Sequence, residues 1–297
     1  MTTRGSVAFV DRRPPSVVAS ARAFFGSPTG SAGALVVAVV IALAATAGWI
    51  TSDPTSQDLA VALQPPSWLG GQAGGLLGTD NLGRDIFSRI AYGARISLLI
   101  GVSAVALAGA IGTLLGLVSG FKGGWLGTAI MRLADFQLSV PFLVLAIALV
   151  GAVGPSLANL IVVLGITGWV PYARVVRSEV LSLREREFVL AARAVGVPDW
   201  RIIITHLRPN ITASVIVLAS LEVARMIISE ASLSFLGLGV QPPTPSWGGM
   251  VADGRNYLES AWWLSTFPGL AIALTVLGVN LLGDRLRDVL DPALRRS

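Results

Sequence analysis

The chain has 297 residues, of which 53% are hydrophobic and only 13% are charged. Since soluble domains carry about 25% charged residues, this composition places the chain in a membrane. The absence of cysteine and the presence of a single histidine, His206, exclude disulfides, a cysteine nucleophile and a multi-histidine metal site. The net charge is +5, but the basic residues are spread among many loops, whereas a nucleic-acid-binding protein would gather them on one face.

Six hydrophobic segments are long enough to cross a bilayer, which takes roughly 20 apolar residues. The third and fourth belong to one uncharged run, which is too long for a single helix and which we expect to break at Gly151–Pro155. We predict spans at Ala32–Ile50, at Ile96–Phe121, from Phe136 to the break, from the break to Ala173, at Ile211–Phe235 and at Ala261–Gly283.

Lysine and arginine are distributed unevenly between the predicted loops. With the N-terminus inside, the outer loops hold only Arg84, Arg89, Arg95 and Arg255 of the 22 basic residues. Because cytosolic loops are enriched in basic residues, both termini are expected in the cytosol. The sequence thus predicts an all-α membrane protein with six transmembrane helices. Cytosolic tails occupy residues 1–31 and 286–297, the first span and a long outer segment occupy 32–92, and a core of five spans occupies 93–285.

The long outer segment ends in a polar motif that predicts a turn leading into a helix. Asp85 and Arg89 are one helical turn apart and are expected to pair. Asp80, Arg84 and Asp85 have two interpretations, which are turn and helix-cap chemistry or contact with a ligand.

The last outer loop, Leu236–Met250, is dense in glycine, proline and tryptophan, and we do not expect it to be helical. Its Trp247, together with Trp262 and Trp263, is the residue type expected where a span meets the membrane interface.

A basic segment between Arg174 and Arg208 predicts two short amphipathic helices, separated by a stop at Gly196 and Pro198. Exposed helices with apolar faces need another protein to cover them, so the segment is interpreted as a docking element. A DNA-reading role is disfavoured because the flanking spans begin within a few residues. The apolar stripes are Phe188, Ala191, Ala192 and Val195 in the first helix, and Trp200, Ile203, Ile204 and Leu207 in the second.

The fifth predicted span holds three ionisable residues, Glu222, Arg225 and Glu230. Charge within a span is costly, so each residue should face a partner or water. Glu222 and Arg225 are spaced to pair with each other. The alternative is that the three residues line a passage or bridge to a second membrane subunit.

The chain lacks a nucleotide-binding motif of its own. A P-loop needs Gly-Lys-Ser/Thr, and the only lysine, Lys122, lies between Phe121 and Gly123. If ATP drives this protein, another subunit binds the nucleotide.

Several motifs together resemble a known family. Ala191-Ala192-x-x-x-Gly196, followed by Pro209, resembles the EAA signature of the membrane subunits of binding-protein-dependent ABC importers. Within that family, three further stretches resemble the C-type subunit of the dipeptide/oligopeptide/nickel branch. They are Gly78-Thr-Asp-x-x-Gly83-Arg-Asp, Ser232-Leu-Ser-Phe-Leu-Gly-Leu-Gly239 and the tail Asp284–Leu294.

The chain departs from the family signature at three positions. Leu190 stands at the position of the signature glutamate, His206 at the usual isoleucine and Arg208 at the usual leucine. The first two departures look common in this branch. There, a glutamate three residues before the signature position, here Glu187 before Leu190, takes the acidic role.

The resemblance implies a type I ABC importer permease, with a cytosolic coupling helix at about 185–207 that seats in a groove of an ATPase subunit. The chain itself would be no enzyme and would hold no cofactor, since ATP and magnesium belong to the partner ATPase. The implied coupling residues are Glu187, Ala191, Ala192, Gly196, Trp200, Arg201 and Pro209.

The resemblance also implies the partners. They are a homologous second permease, two ATP-binding subunits or one fused ATPase, membrane lipid and an extracytoplasmic solute-binding protein, in a prokaryotic plasma membrane. No nucleic acid is expected. The binding protein would dock near Asp80, Arg84, Asp85 and Trp247.

The expected function is import of short peptides by alternating access. The same importer class could instead carry nickel or another small solute. A different class, an ion-coupled secondary transporter, could use Glu222 and Glu230 as proton relays. The lack of a visible repeat pair and the exposed docking helices argue against that class, and a membrane enzyme lacks a convincing nucleophile, metal cluster or acid–base pair.

Overall fold

The computed structural model describes residues 27–71 and 75–290, and in these residues every regular element is a helix. Short 3₁₀ turns lie at Leu59–Val61, Ser67–Leu69 and Arg255–Tyr257. The longer elements are α1 (Pro28–Ile50), α2 (Ile86–Lys122), α3 (Gly124–Leu138), α4 (Phe142–Val153), α5 (Leu157–Thr167), α6 (Trp169–Leu183), α7 (Glu187–Ala194), α8 (Asp199–Ile202), a π-helical turn (Ile203–Leu207), α9 (Arg208–Phe235), α10 (Trp247–Gly254) and α11 (Trp263–Leu290).

The described chain has five helices that are long and apolar enough to cross a membrane, and a sixth if a bent pair counts as one span. The bent pair is α3 with α4, which meet at 90°. The five are Pro28–Ile50, Ile86–Lys122, Leu157–Leu183, Asp199–Phe235 and Trp263–Val289.

The long uncharged run has a second wide break besides the predicted one, and a one-residue interruption at Gly168 between α5 and α6. The predicted break is confirmed, because α4 ends at Val153 and Ser156 caps α5 by accepting a hydrogen bond from the backbone N–H of Asn159 at 3.1 Å. The second break, between Leu138 and Phe142, was missed. Pro141 explains it, because proline disfavours helical backbone in the preceding residue and has no N–H to donate.

Most helices begin earlier or end later than the apolar spans predict. α1 begins at Pro28 rather than Ala32, because Ser27 caps the helix and proline is tolerated in its first turn. α2 begins at Ile86 rather than Ile96, behind the cap Asp85. The helices therefore extend, through polar residues at their ends, beyond the apolar spans predicted from sequence. α11 runs to Leu290 and so enters the predicted C-terminal tail. The rest of the two predicted tails, 1–26 and 291–297, lies outside the described residues.

A stripe of glycines lets α2 pack closely against α6, its most extensive partner. A Cβ added at Gly112 would lie 2.3 Å from the Trp169 carbonyl oxygen, and one at Gly116 would lie 2.7 Å from Cβ of Val176. A Cβ added at Gly120 would likewise lie 2.9 Å from Cβ of Val180. Small residues at this spacing are typical of helix pairs inside membranes. This packing fixes α6, and the segment that follows it, against the centre of the molecule.

Candidate functional site

The first docking helix, α7, ends in a glycine turn as the sequence predicts. Gly196 has a φ of +80°, a conformation that glycine adopts without strain. Its N–H donates to the Arg193 carbonyl and that of Val197 donates to the Ala192 carbonyl, both at 3.0 Å. These two bonds form a Schellman motif, which closes the helix and turns the chain sharply.

The second docking helix is not a separate element, which corrects the prediction. α8, the π-helical turn and α9 run without interruption, so that Asp199–Phe235 is one apolar helix of 37 residues. The turn arises where Arg208 donates its N–H to the carbonyl of Ile203, one residue further back than in an α-helix. Pro209 follows directly, and because proline has no N–H, the continuous helix lacks one backbone hydrogen bond next to the π-helical turn. The docking segment is thereby continuous with a membrane span.

The docking segment is anchored by fewer apolar residues than its two predicted stripes suggest. Val189 and Ile202, which belong to neither stripe, are fully buried against Val176 and Val180 of α6, as is Leu207. The helices are so short that only one narrow side of each reaches this cluster. Most of the predicted stripes therefore point away from the protein.

Most of the remaining apolar side chains of the two docking helices are exposed, and this exposed set of residues is here termed the coupling surface. Val195 is 80% exposed and Trp200 is 64% exposed. Of the predicted coupling residues, Ala192 is buried, while Glu187, Ala191, Gly196, Trp200, Arg201 and Pro209 are exposed. The coupling surface consists of Phe188, Leu190, Val195, Trp200 and Ile204, with the charged residues Glu187 and Arg201 beside them.

Within α9, Glu222 and Arg225 form the predicted ion pair. Nη1 of Arg225 donates to both carboxylate oxygens of Glu222, at 3.1 and 3.2 Å. Glu222 is buried, whereas the Arg225 side chain is 39% exposed and its guanidinium lies 4.4 Å from the centre of the Phe142 ring. Sequence reasoning missed Phe142, although Pro141 beside it was a signal for a helix break.

Glu230 has a different environment from the other two ionisable residues. It is fully buried between α2 and α9. One carboxylate oxygen accepts a hydrogen bond from Ser234 at 2.7 Å, and the other accepts one from Ser97 at 3.1 Å. Glu230 therefore joins two helices and does not belong to the Glu222–Arg225 pair.

At the start of α2, Asp80 is the centre of a buried ionic cluster. It accepts hydrogen bonds from the backbone N–H groups of Leu82 and Arg84 at 2.8 and 2.9 Å, from Nε of Arg84 at 2.6 Å and from Nη1 of Arg89. Nη2 of Arg89 also lies 3.5 Å from Asp253 of α10. This geometry supports the turn chemistry anticipated for Asp80 and Arg84.

The predicted pairing of Asp85 with Arg89 is wrong. Asp85 instead caps α2, since its carboxylate accepts the backbone N–H of Ser88 at 2.8 Å. Arg89 reaches Asp80 and Asp253 because the turn folds back over the helix start. Asp253 has no local sequence signal, since its partner lies far away along the chain.

Trp247 is buried, contrary to its predicted place at a membrane interface. It is 1% exposed, and its Nε1 donates to the Ile90 carbonyl at 3.0 Å. The expectation that Leu236–Met250 contains no helix is wrong from Trp247 onward, because Ser246 caps α10 by accepting from the Gly249 N–H. Trp263 is buried as well, whereas Trp262 is exposed.

The two segments predicted to dock a binding protein meet at one cavity, here termed the polar pocket. Its volume is about 630 Å³. Asn81, Arg84 and Arg89 line one side, and the loop from Gln241 with Asp253 lines the other. Asp80 and Trp247 do not line this pocket, but Asp80 accepts hydrogen bonds from Arg84 and Arg89, which do.

Comparison with known proteins agrees with these features. Residues 112–296 match the family described as binding-protein-dependent transport system inner membrane component. The chain is 46% identical to the di/tripeptide transport system permease protein DppC of Pseudomonas aeruginosa, over 92% of this chain and 91% of that protein. It is 43% identical to the probable D,D-dipeptide transport system permease protein DdpC of Escherichia coli, over 90% and 88%.

The fold is also found among solved structures. A chain of the MetNI methionine ABC transporter, crystallised in inward-facing conformations, superposes with a TM-score of 0.55 and 19% identity, over 67% of this chain and 95% of that chain. Identity at this level shows a shared fold alone. On the family match and the near full-length relatives, the chain belongs to the inner membrane components of binding-protein-dependent transport systems.

Proposed function

We propose that this protein is one permease subunit of an ATP-driven importer of short peptides, with both termini in the cytosol. The observation that carries the proposal is the coupling surface. It is a set of exposed apolar side chains on a segment that turns at Gly196 and continues without a break into α9. The names of the relatives, which are dipeptide and di/tripeptide permeases, favour peptides as the cargo.

The proposed complex contains a homologous second permease, two ATP-binding subunits or one fused ATPase, and an extracytoplasmic solute-binding protein. ATP and magnesium would be bound by the ATPase, since the chain has a single lysine and no P-loop. The coupling surface would seat in a groove of that ATPase. Burial of side chains such as Trp200 and Val195 would stabilise the contact.

The transport mechanism follows from the continuity of Asp199–Phe235. When ATP binding closes the ATPase pair, the coupling segment moves with it, and α9 moves as part of the same helix. The passage then opens outward, receives a peptide from the docked binding protein, and returns to the inward-open state after ATP hydrolysis. The protein itself makes and breaks no covalent bond.

The polar pocket is the proposed docking place of the binding protein. It lies between the Asp80–Arg89 turn and the 241–253 region, which both belong to the proposed outer face. Arg89 is held by the buried Asp80 on its own side and lies 3.5 Å from the half-exposed Asp253 on the other, so the pocket presents a preformed surface to a partner.

The proposed function is tested by reconstitution of the assembled complex into proteoliposomes. We expect uptake of labelled dialanine that requires both ATP and the binding protein. Uptake driven by an ion gradient in the absence of ATP would contradict the proposal and would favour the secondary-transporter class.

A further inference from the structure

The Glu222–Arg225 pair lies deep within the span. Arg225 is about 15 Å from the outer end of α9, at about 1.5 Å per residue. A guanidinium at this depth requires water or a polar partner, yet its side chain remains 39% exposed. We therefore expect the exposed side of Arg225 to face water or a polar partner rather than lipid.

A groove of about 660 Å³ leads along α9 towards this pair. It is lined by α6, by α9 and by Arg287 of α11, and the residues on α9 include Ser214, Leu218 and Leu221. Ser214 and Arg225 lie about three full turns apart and so share one face of the helix. The stripe that lines the groove therefore continues to Arg225.

The start of α4, in the bent pair α3–α4, contacts α9 at Arg225, which continues the row of α9 residues that lines the groove. Phe142 is the first residue of α4, and the Arg225 guanidinium lies over its ring. No side chain caps the N-terminus of α4. The first N–H groups of a helix carry a partial positive charge, and transporters use the N-termini of broken helices to bind anionic groups of their cargo.

The hydrogen bonds of Arg225 leave one edge of its guanidinium available. Nη1 is occupied by Glu222, and among the described residues Nε and Nη2 have no hydrogen-bond partner. This edge, with two parallel N–H groups, matches the geometry of a carboxylate. Glu222 holds the group in place without covering that edge.

We propose that Arg225 binds the terminal carboxylate of a peptide in transit, with Glu222 as its positioning residue. The inference rests on the proposed function, because it takes a short peptide with a free carboxylate as the cargo. It adds a substrate-contacting residue within the membrane, distinct from the binding protein that selects the cargo outside.

The test is ATP-dependent uptake of labelled dialanine by proteoliposomes that contain the whole complex and its binding protein, with each rate divided by the amount of complex incorporated. We expect Arg225→Gln to lower uptake by about tenfold or more, because a charge-assisted bond to the carboxylate is lost. Unchanged uptake would overturn the inference.

A charge exchange separates substrate binding from a structural role. Glu222→Arg combined with Arg225→Glu keeps an ion pair but moves the guanidinium by nearly one turn. We expect this variant to recover the yield of assembled complex without recovering uptake. Recovery of wild-type uptake would show that the pair only stabilises α9, and would overturn the inference.

If the exchange variant does not assemble, Arg225→Lys provides the alternative test of carboxylate binding. It keeps the positive charge and the pairing with Glu222 but loses the planar fork, so uptake should fall several-fold. Wild-type uptake in Arg225→Lys would again contradict carboxylate binding. Failure of the wild-type complex to import dialanine would contradict the proposed substrate itself, and is thus distinguishable from failure at Arg225.

Discussion

At the scale of single residues, Gly196 shows how the backbone rather than packing determines the effect of a substitution. No atom lies within 4 Å of a Cβ added there, so a side chain at this position would have open space around it. The constraint is its φ of +80°, which costs most other residues about 1 kcal/mol. A charged side chain here would also project beside the coupling surface.

Gly196→Asp is therefore expected to leave the complex assembled but to lower ATP-driven dialanine uptake by about tenfold or more, since its charge would be desolvated against the ATPase. Gly196→Asn is the matched control, because asparagine also adopts this backbone conformation but carries no charge. We expect it to retain most of the uptake. Wild-type transport in Gly196→Asp would contradict the placement of the coupling surface.

Asp80 illustrates the cost of unpaired buried charge. Its carboxylate bonds to Arg84 and Arg89, and both arginines are 6% exposed. Asp80→Ala should destabilise the protein by about 3–5 kcal/mol, because it leaves buried guanidinium groups without their partner.

The thermal unfolding midpoint of the purified complex measures this effect. Asp253→Asn is the control, since Asp253 contacts the same arginines but its side chain is 51% exposed, so its loss should cost less than about 1 kcal/mol. Equal midpoints for Asp80→Ala and the wild type would contradict the central place of Asp80 in the cluster.

At the scale of elements, the contact between α2 and α6 depends on residues without side chains. Gly116→Ala is expected to destabilise the protein by about 1–3 kcal/mol, because its Cβ would lie 2.7 Å from Cβ of Val176 and force the helices apart. Gly151→Ala is the matched control, as no atom lies within 4 Å of a Cβ there. It should be neutral or slightly stabilising.

The same measurement, thermal unfolding of the purified complex, separates the two substitutions. A Gly116→Ala variant as stable as Gly151→Ala would show that α2 and α6 can separate freely, contrary to the close packing described.

Hydrophobic runs predicted which parts of the chain form long apolar helices, but not where these helices begin, end or join. Apolar composition reports residence in lipid, and polar ends such as Asp85 or Arg208 continue a helix beyond it. The join between α8 and α9 depends on the π-helical turn, in which hydrogen bonds shift by one residue. Such a shift has no signature in hydrophobic periodicity.

In the candidate sites too, the sequence predicted local features but not contacts between distant parts of the chain. The turn at Gly196 and the Glu222–Arg225 pair were predictable, because both depend on spacing within a few residues. The polar pocket was foreseen only as two separate segments. Asp253 and Phe142 were missed, because their roles depend on contacts between distant helices.

At the scale of the whole molecule, the continuous helix Asp199–Phe235 connects the coupling surface with the polar pocket. Its 37 residues span about 55 Å, and Ser234 and Phe235 at its end line that pocket. Glu230 ties this end to α2 through Ser97. One element thus links the proposed contacts with ATPase and binding protein.

The central claim is that the coupling surface is covered by an ATPase, and cysteine cross-linking tests it most directly. The sequence contains no cysteine, so Val195→Cys introduces a unique thiol at a position that is 80% exposed. Trp125→Cys, at a residue that is 82% exposed on α3, is the control for a thiol outside the coupling surface.

The experiment uses a short thiol-reactive cross-linker in native membranes, followed by mass spectrometry of the products. The account predicts that Val195→Cys becomes linked to a P-loop ATPase and that Trp125→Cys does not. Linkage of Val195→Cys only to another copy of this chain, or to no protein, would contradict the account and would favour an ion-coupled transporter that uses Glu222 and Glu230.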